Sequence, residues 1–145
     1  MTTIRPFTCE DLFRYNNVNL DPLTETYGLS FYLQYLAHWP EYFQVAEAPN
    51  GDIMGYIMGK AEGHSENWHG HVTALTVAPE YRRLGLAATL MNGLEDISEK
   101  KKSIFCRFVC DPDEDAFDMR KALSRDINKK SVIPLAHPVR PEDIE

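Results

Sequence analysis

The stretch Leu75-Thr76-Val77-Ala78-Pro79-Glu80-Tyr81-Arg82-Arg83-Leu84-Gly85-Leu86-Ala87-Ala88 is where the chain passes from one periodicity to another. Leading into it, His71 to Val77 is rich in β-favouring residues, and Ala78-Pro79-Glu80 breaks that run. Beyond the break, Leu84, Ala87, Ala88, Leu90, Met91, Leu94 and Ile97 recur at three- and four-residue spacing, which predicts an amphipathic helix from Arg83 to about Lys102. Lys100, Lys101 and Lys102 suit the negative pole of that helix. A strand, a proline turn and a long helix therefore meet at two arginines and a glycine.

The first four amide N–H groups of a helix lack intrahelical acceptors and lie at the positive end of its dipole, so they bind anions. Gly85, Ala87 and Ala88 leave the backbone approachable, and Arg82 and Arg83 add charge-assisted hydrogen bonds. On this reading Arg82-x-x-Gly85-x-Ala87, with the amides from Leu84 through Leu86, is a cradle for a pyrophosphate. The alternative is a solvated first turn with a tolerated helix glycine, which costs roughly 0.5–1 kcal/mol relative to alanine. The pattern lacks the Lys-Ser/Thr of a Walker loop and the glycine spacing of a dinucleotide fold, which disfavours both of those enzyme classes.

Working outward, Thr2 to Phe7 predicts a strand, and Thr8 with Asp11 forms a capping-box pattern opening a helix to about Leu20, which Asp21-Pro22 stops. Ser30 caps a second helix, Phe31 to Trp39, that Pro40 ends. Tyr42 to Ala48 and Ile53 to Lys60 form a hairpin about Pro49-Asn50-Gly51-Asp52, and Ile104 to Cys110 suits a strand after the long helix. This order implies a mixed β-sheet with helices on its faces, an α/β or α+β domain whose sheet order is open.

A chain of 145 residues, 43% hydrophobic and 26% charged, suits one domain with its own core. Its net charge of −7 argues against nucleic-acid binding by phosphate neutralisation. Up to residue 73, nine acidic residues face only Arg5, Arg14 and Lys60, so that half suits amines or cations. No run approaches the roughly 18–20 apolar residues of a membrane-spanning helix, and the first residues lack a secretion-signal layout. The expected location is the cytoplasm, with the nucleus as a second. Cys9, Cys106 and Cys110 contain no C-x-x-C pair and read as free thiols. His69 and His71 with Cys106 and Cys110, spaced H-x-H and C-x3-C, fit no ordinary zinc framework, so no metal is expected.

Val77 through Ala88 resembles the acetyl-CoA motif of the GCN5-related N-acetyltransferase (GNAT) superfamily, whose Q/R-x-x-G-x-G/A signature matches Arg82, Gly85 and Ala87. Phe7 to Phe13, Asn19 to Gly28, Tyr32 to Tyr42 and Trp68 to Ala78 are similar to the catalytic subunits of NatB-type N-terminal acetyltransferases. The likeness resumes at Asp111 and runs to the C-terminus. The resemblance implies a GNAT-like mixed sheet and transfer of an acetyl group from acetyl-CoA to the α-amine of proteins beginning Met-Asp, Met-Glu, Met-Asn or Met-Gln. It implies a helical-repeat auxiliary subunit, nascent protein N-termini as substrates, ribosome association through the complex, and no direct contact with nucleic acid or membrane. It implies that Leu75 and Val77 present backbone groups to the pantetheine and thioester, and that Arg82, Arg83, Leu84, Gly85, Leu86, Ala87 and Ala88 hold the pyrophosphate. His71 falls where the family places active-site groups and is the candidate base, and Glu25, Tyr27 and Thr73 are candidate peptide contacts. Without the resemblance, Glu25 reads as a solvated loop acid, Tyr27 as a packing aromatic and Thr73 as an ordinary strand residue.

Between Lys102 and Asp111 stand only Ser-Ile-Phe-Cys-Arg-Phe-Val-Cys. The resemblance implies a longer region there: a fifth strand, a helix with an Asn and a Tyr beside the thioester, a further strand and a tyrosine-bearing loop. The expectation is one domain over residues 1–123, shortened between about 103 and 111 and incomplete in its C-terminal half, followed by an extended or disordered tail over 124–145. No residue is available to carry the tyrosine that would protonate the leaving thiolate, so turnover is expected to be impaired. The alternative is a non-catalytic shortened variant that binds the auxiliary subunit or acetyl-CoA. For residues 112–123 the resemblance implies a strand, whereas Asp111-Pro112-Asp113-Glu114 is a helix start by propensity.

Overall fold

The computed structural model describes residues 1–19, 26–110 and 117–137. Six strands form one sheet in the order β1-β2-β3-β4-β5-β6: β1 (Thr3–Pro6), β2 (Gln44–Glu47), β3 (Ile53–Glu62), β4 (His69–Val77), β5 (Phe105–Cys110) and β6 (Phe117–Ala122). Neighbours are antiparallel except β4 and β5, which run parallel because α3 (Leu86–Lys100) carries the chain back between them. This is the mixed sheet flanked by helices that the sequence predicts.

Strand β3 is buried on both faces and belongs to two cores. Met54, Ile57 and Ala61 join Leu86, Leu90 and Leu94 of α3, whereas Ile53, Tyr56 and Met58 join Leu12, Val18, Tyr32 and Tyr35 from α1 (Asn16–Asn19), α2 (Leu29–His38) and the preceding turn. Of the apolar stripe predicted along α3, Leu90, Met91, Leu94 and Ile97 face the sheet, whereas Leu84 precedes the helix and is exposed, as are Ala87 and Ala88, and Leu86, outside the predicted stripe, is buried. Two glycines let the helix seat closely, since a Cβ at Gly70 would lie 2.1 Å from Ser98 Oγ, and one at Gly59 2.7 Å from Leu94 Cδ1.

Several expected boundaries shift. The first helix is not continuous: a 3-10 turn covers Cys9–Phe13 and α1 covers only Asn16–Asn19, and the expected end at Leu20 lies outside the described residues. Asn16 and Asn17 are weak helix formers, and the Asp11 carboxylate is committed elsewhere. Helix α2 starts at Leu29 from Gly28 rather than from Ser30. Helix α3 starts at Leu86, three residues later than expected, because Arg83 and Gly85 adopt φ 62° and 80°. Residues 117–122 are a strand, as the resemblance implies: pairing along β5 from Cys110↔Phe117 to Phe105↔Ala122 overrides local propensity. Within residues 124–137, the Asp126 carboxylate accepts the Lys130 and Ser131 N–H groups at 3.0 and 2.9 Å beside a 3-10 turn at Lys130–Val132.

The capping box predicted from Thr8 and Asp11 ties the N-terminus to the sheet. Asp11 Oδ2 accepts the Thr8 N–H at 2.9 Å, and Arg5 donates to both Asp11 oxygens at 2.7 and 2.8 Å and to Glu47 of β2 at 2.8 and 2.5 Å. Burial pushes the Asp11 carboxyl up, but the Arg5 guanidinium and Thr8 hold it below its ordinary value. A carboxyl depressed in the fold contributes stability above its unfolded pKa of about 3.9 that is lost as pH falls through the folded value. Asp11→Asn is expected to cost about 2–3 kcal/mol at pH 7, because Arg5 keeps partial solvent access, and the deficit should shrink below pH ~4; urea melts of both proteins at pH 7 and pH 3.5 check this.

Candidate active site

The site begins where β4 loses a neighbour. His69 through Val72 pair with Phe105 through Phe108, but Thr73 to Val77 continue with no β5 residue beside them while β3 stays paired to Val77. The register with β3 also slips there, from Met58↔Ala74 to Gly59↔Val72, leaving Thr73 as a bulge. A slot thus opens in the middle of the sheet, edged by the backbone of residues 73–77 and including Leu75 and Val77. Bulges of this kind re-aim side chains and end pairing.

The predicted cradle stands at the end of this slot. Pro79–Tyr81 form a 3-10 turn, the chain passes through left-handed Arg83 and Gly85, and the first α3 backbone bond is Thr89 N–H to Gly85 O at 3.0 Å. The N–H groups of Leu86, Ala87 and Ala88 therefore precede the helical ladder and remain available to a ligand. The surroundings are open, since Arg82, Arg83, Leu84, Gly85, Ala87 and Ala88 are all exposed and only Leu86 is buried. A Cβ at Gly85 would meet nothing within 4 Å, so the glycine is required for its positive φ and not for space inside the fold. The helix end is therefore not sealed, and the tolerated-glycine alternative does not describe it. Arg82 donates from Nε to Val77 O at 3.0 Å, which fastens the loop to the end of β4.

Two of the four remaining candidates lie on β4, and a third is linked to it through an aromatic ladder. His71 and Thr73 stand two residues apart on that strand, and Thr73 Oγ1 lies 2.8 Å from Tyr35 OH of α2. Tyr35 continues an aromatic ladder to Phe31 (ring centroids 4.9 Å) and on to Tyr27 (4.4 Å), which is half-buried. Thr73 is thus a tether between sheet and helix, and Tyr27 packs on Phe31 and Tyr32. Glu25 lies outside the described residues.

His71 brings in a residue that the sequence did not single out. Its Nδ1 lies 2.6 Å from Glu62 Oε1 on β3, and Lys60 Nζ lies 2.6 Å from Glu62 Oε2. A carboxylate only accepts, so Nδ1 carries the proton and Nε2 keeps its lone pair. Burial pushes the His71 pKa below its ordinary value against the opposing pull of Glu62, so the ring is neutral at pH 7. Burial alone would raise the Glu62 pKa, but Lys60 and His71 bring it down to about 2. The register Lys60↔His71 and Glu62↔His69 is the missing signal, because hairpin pairing places an acid across from two histidines. Cys106 does not join them: it lies in the core beneath α3, whereas His69 stacks on Phe105 on the opposite face.

The Acetyltransferase (GNAT) family matches residues 9–121. The chain is 53% identical to the N-terminal acetyltransferase B complex catalytic subunit NAA20 of Arabidopsis thaliana, covering 100% of this chain and 99% of that protein. It is also 53% identical to N-alpha-acetyltransferase 20 of Dictyostelium discoideum, with the same coverage. Both alignments extend over 172 positions against 145 residues here, a difference of 27. Among solved structures, Naa20 of Chaetomium thermophilum in complex with a bisubstrate analogue superposes with TM-score 0.81 at 37% identity, covering 88% of this chain and 90% of that one. A NatB acetyltransferase complex bound to CoA and MES superposes with TM-score 0.77 at 40% identity, covering 83% and 99%. With its splayed sheet, its amide cradle and these relatives, the chain belongs to the GNAT acetyltransferase family and, within it, stands among the N-terminal acetyltransferases of NatB type.

Proposed function

We propose that this chain uses acetyl-CoA to acetylate the N-terminal α-amine of proteins beginning Met-Asp, Met-Glu, Met-Asn or Met-Gln, as the catalytic subunit of a NatB-type complex. The observation that carries this reading is the open amide end of α3 at the mouth of the slot left where β4 parts from β5. The pyrophosphate of acetyl-CoA sits on the N–H groups of Leu86, Ala87 and Ala88 beside Arg83, and the pantetheine runs along the unpaired side of Leu75 to Val77. A peptide α-amine has a pKa of roughly 7.7–8.0, so it needs only modest help to lose a proton before it attacks the thioester carbon. His71 Nε2 accepts that proton, directly or through a water, and the amide bond forms as the thiolate of CoA departs. Glu62 holds the ring in the competent tautomer.

The partner in this reading is a helical-repeat auxiliary subunit that presents the enzyme to nascent chains at the ribosome in the cytoplasm, with the nucleus as a second location. Phe13 (83% exposed), Leu29 (59%) and Leu33 (43%) support a docking face on the α1–α2 side, and Leu29 and Leu33 share one stripe of α2. A second reading rests on length: the 27 positions that face no residue here fit the short connection after Lys102, which leaves no tyrosine to protonate the thiolate. On that reading the chain binds acetyl-CoA or the auxiliary subunit without turnover.

Calorimetry of the chain with acetyl-CoA, followed by an assay with the auxiliary subunit and a Met-Asp peptide, separates these. Binding with product formed is expected; binding without product leaves the second reading, and no binding overturns both. Gly85→Ala is expected to weaken acetyl-CoA binding about 5–10-fold while costing only about 1 kcal/mol of stability, because the left-handed turn that aims the amides is strained. His71→Ala is expected to lower kcat about 100-fold. The wild-type rate should fall as pH drops, with an apparent pKa below His71's ordinary 6.5. Glu62→Gln, by removing the group that favours the charged ring, should lower kcat and displace the remaining acid limb to still lower pH; an acid limb unmoved by Glu62→Gln contradicts the role of His71.

A further inference from the structure

His69 is 2% exposed, and its two ring nitrogens have very different surroundings. Nδ1 lies 2.6 Å from Asn67 O, a pure acceptor, so it carries the proton. In the neutral ring Nε2 is then a bare lone pair, and it has no hydrogen-bond partner. It points at a second acceptor, Glu62 Oε1, 3.3 Å away. Two lone pairs facing each other, one of them on a buried ring, repel unless a positive centre lies between them. The same Oε1 is shared with His71 Nδ1, and one donor atom from each of the three residues lies within 4.8 Å of the others.

We propose that Glu62, His69 and His71 bind a divalent transition-metal cation of the zinc type, and that the bound cation silences His71. Two imidazoles and a carboxylate with a fourth place open form an ordinary donor set for such an ion. Tetrahedral zinc bonds of about 2.0–2.1 Å separate neighbouring donors by roughly 3.3–3.4 Å, and the His69–Glu62 pair already stands at 3.3 Å. The His71–Glu62 distance must lengthen from its hydrogen-bonded 2.6 Å. The Asn67 carbonyl fixes the His69 tautomer with Nε2 toward the metal, the outer-shell arrangement typical of ligating histidines. A cavity of about 310 Å³ lined by Glu62, Gly63, His64, Asn67 and His69 gives the ion a route in and places exposed His64 beside it as a further donor. Lys60 occupies Glu62 Oε2, so the carboxylate binds through Oε1 alone.

The silencing follows from proton bookkeeping and rests on the proposed role of His71. When the cation takes Nδ1, the single proton of the neutral ring moves to Nε2, and the lone pair that would receive the amine proton is gone. When the cation takes Nε2, that lone pair is consumed directly. No net proton or electron is exchanged in the first case, so the effect is reversible by chelation.

Calorimetry of the full chain with Zn²⁺ alone, without acetyl-CoA or peptide, tests the site independently of the activity. One ion per chain is expected, with Glu62→Gln and His69→Gln each weakening binding at least ~10-fold. Co²⁺ should give a visible absorption band that both variants lose. Wild-type binding no tighter than that of Glu62→Gln, whose half-exposed position makes it the substitution least harmful to folding, overturns the proposal. In the acetylation assay with the auxiliary subunit, Zn²⁺ should inhibit wild type reversibly to EDTA, and His69→Gln should need at least ~10-fold more Zn²⁺. Tight binding without inhibition keeps the site but overturns the silencing.

Discussion

Everything this chain can do depends on β4 having two partners along part of its length and one along the rest. Strand β3 stays paired from His69 to Val77, whereas β5 leaves after Val72. A strand edge left unpaired in mid-sheet is costly unless its groups are solvated or used. Leu86, Leu90 and Leu94 of α3 fill the core on one side of the sheet, and the close seat of α3 on Gly70 and Gly59 fixes the distance between helix and sheet. The same helix delivers its free amides to the end of the gap. The packing of α3 on the sheet therefore sets the place of the positive pole.

The strand–turn–helix at residues 75–88 was the most legible part of the sequence because its signals are local: a change of period, a proline and a glycine. The start of α3 lies three residues beyond where the sequence pattern puts it because a left-handed Arg83 has no sequence mark, in contrast to Gly85. The first helix was over-read because the Thr8–Asp11 capping pattern describes one turn and carries no information about how far helix continues past Asn16 and Asn17. Glu62 was missed for a different reason. Its role comes from cross-strand register, which a one-dimensional pattern cannot fix while the bulge at Thr73 shifts the alignment of β3 and β4.

Strand β6 shows how tertiary context settles an ambiguous segment. Phe117 to Ala122 follows a helix-like start, yet β5 offers a full edge of backbone donors and acceptors. Side chains reinforce the choice: Asp118 accepts from buried Arg107 at 3.1 Å, Arg120 lies over the Phe105 ring at 4.8 Å, and Lys121 reaches Glu95 of α3. Lys121 braces β6 on the α3 side, whereas Asp118 and Arg120 lie on the opposite face with Phe105, which is 2% exposed.

Charge distribution around Glu62 binds the two readings of the His71 region together. Lys60 and His71 both stabilise its anion, and His69 Nε2 lies 3.3 Å from the same Oε1. A carboxylate so placed can orient a base or share a cation, but not both at once, because each use consumes the same Oε1 and the same His71 lone pair. The acidic first half of the chain, with nine carboxylates against three basic residues up to position 73, biases the surroundings toward positively charged arrivals. An α-ammonium and a metal dication are attracted by the same field. What separates them in the two proposals is that the proposed mechanism has the amine give up its proton to His71 Nε2, whereas the proposed cation site requires that nitrogen, or its partner Nδ1, to be a ligand.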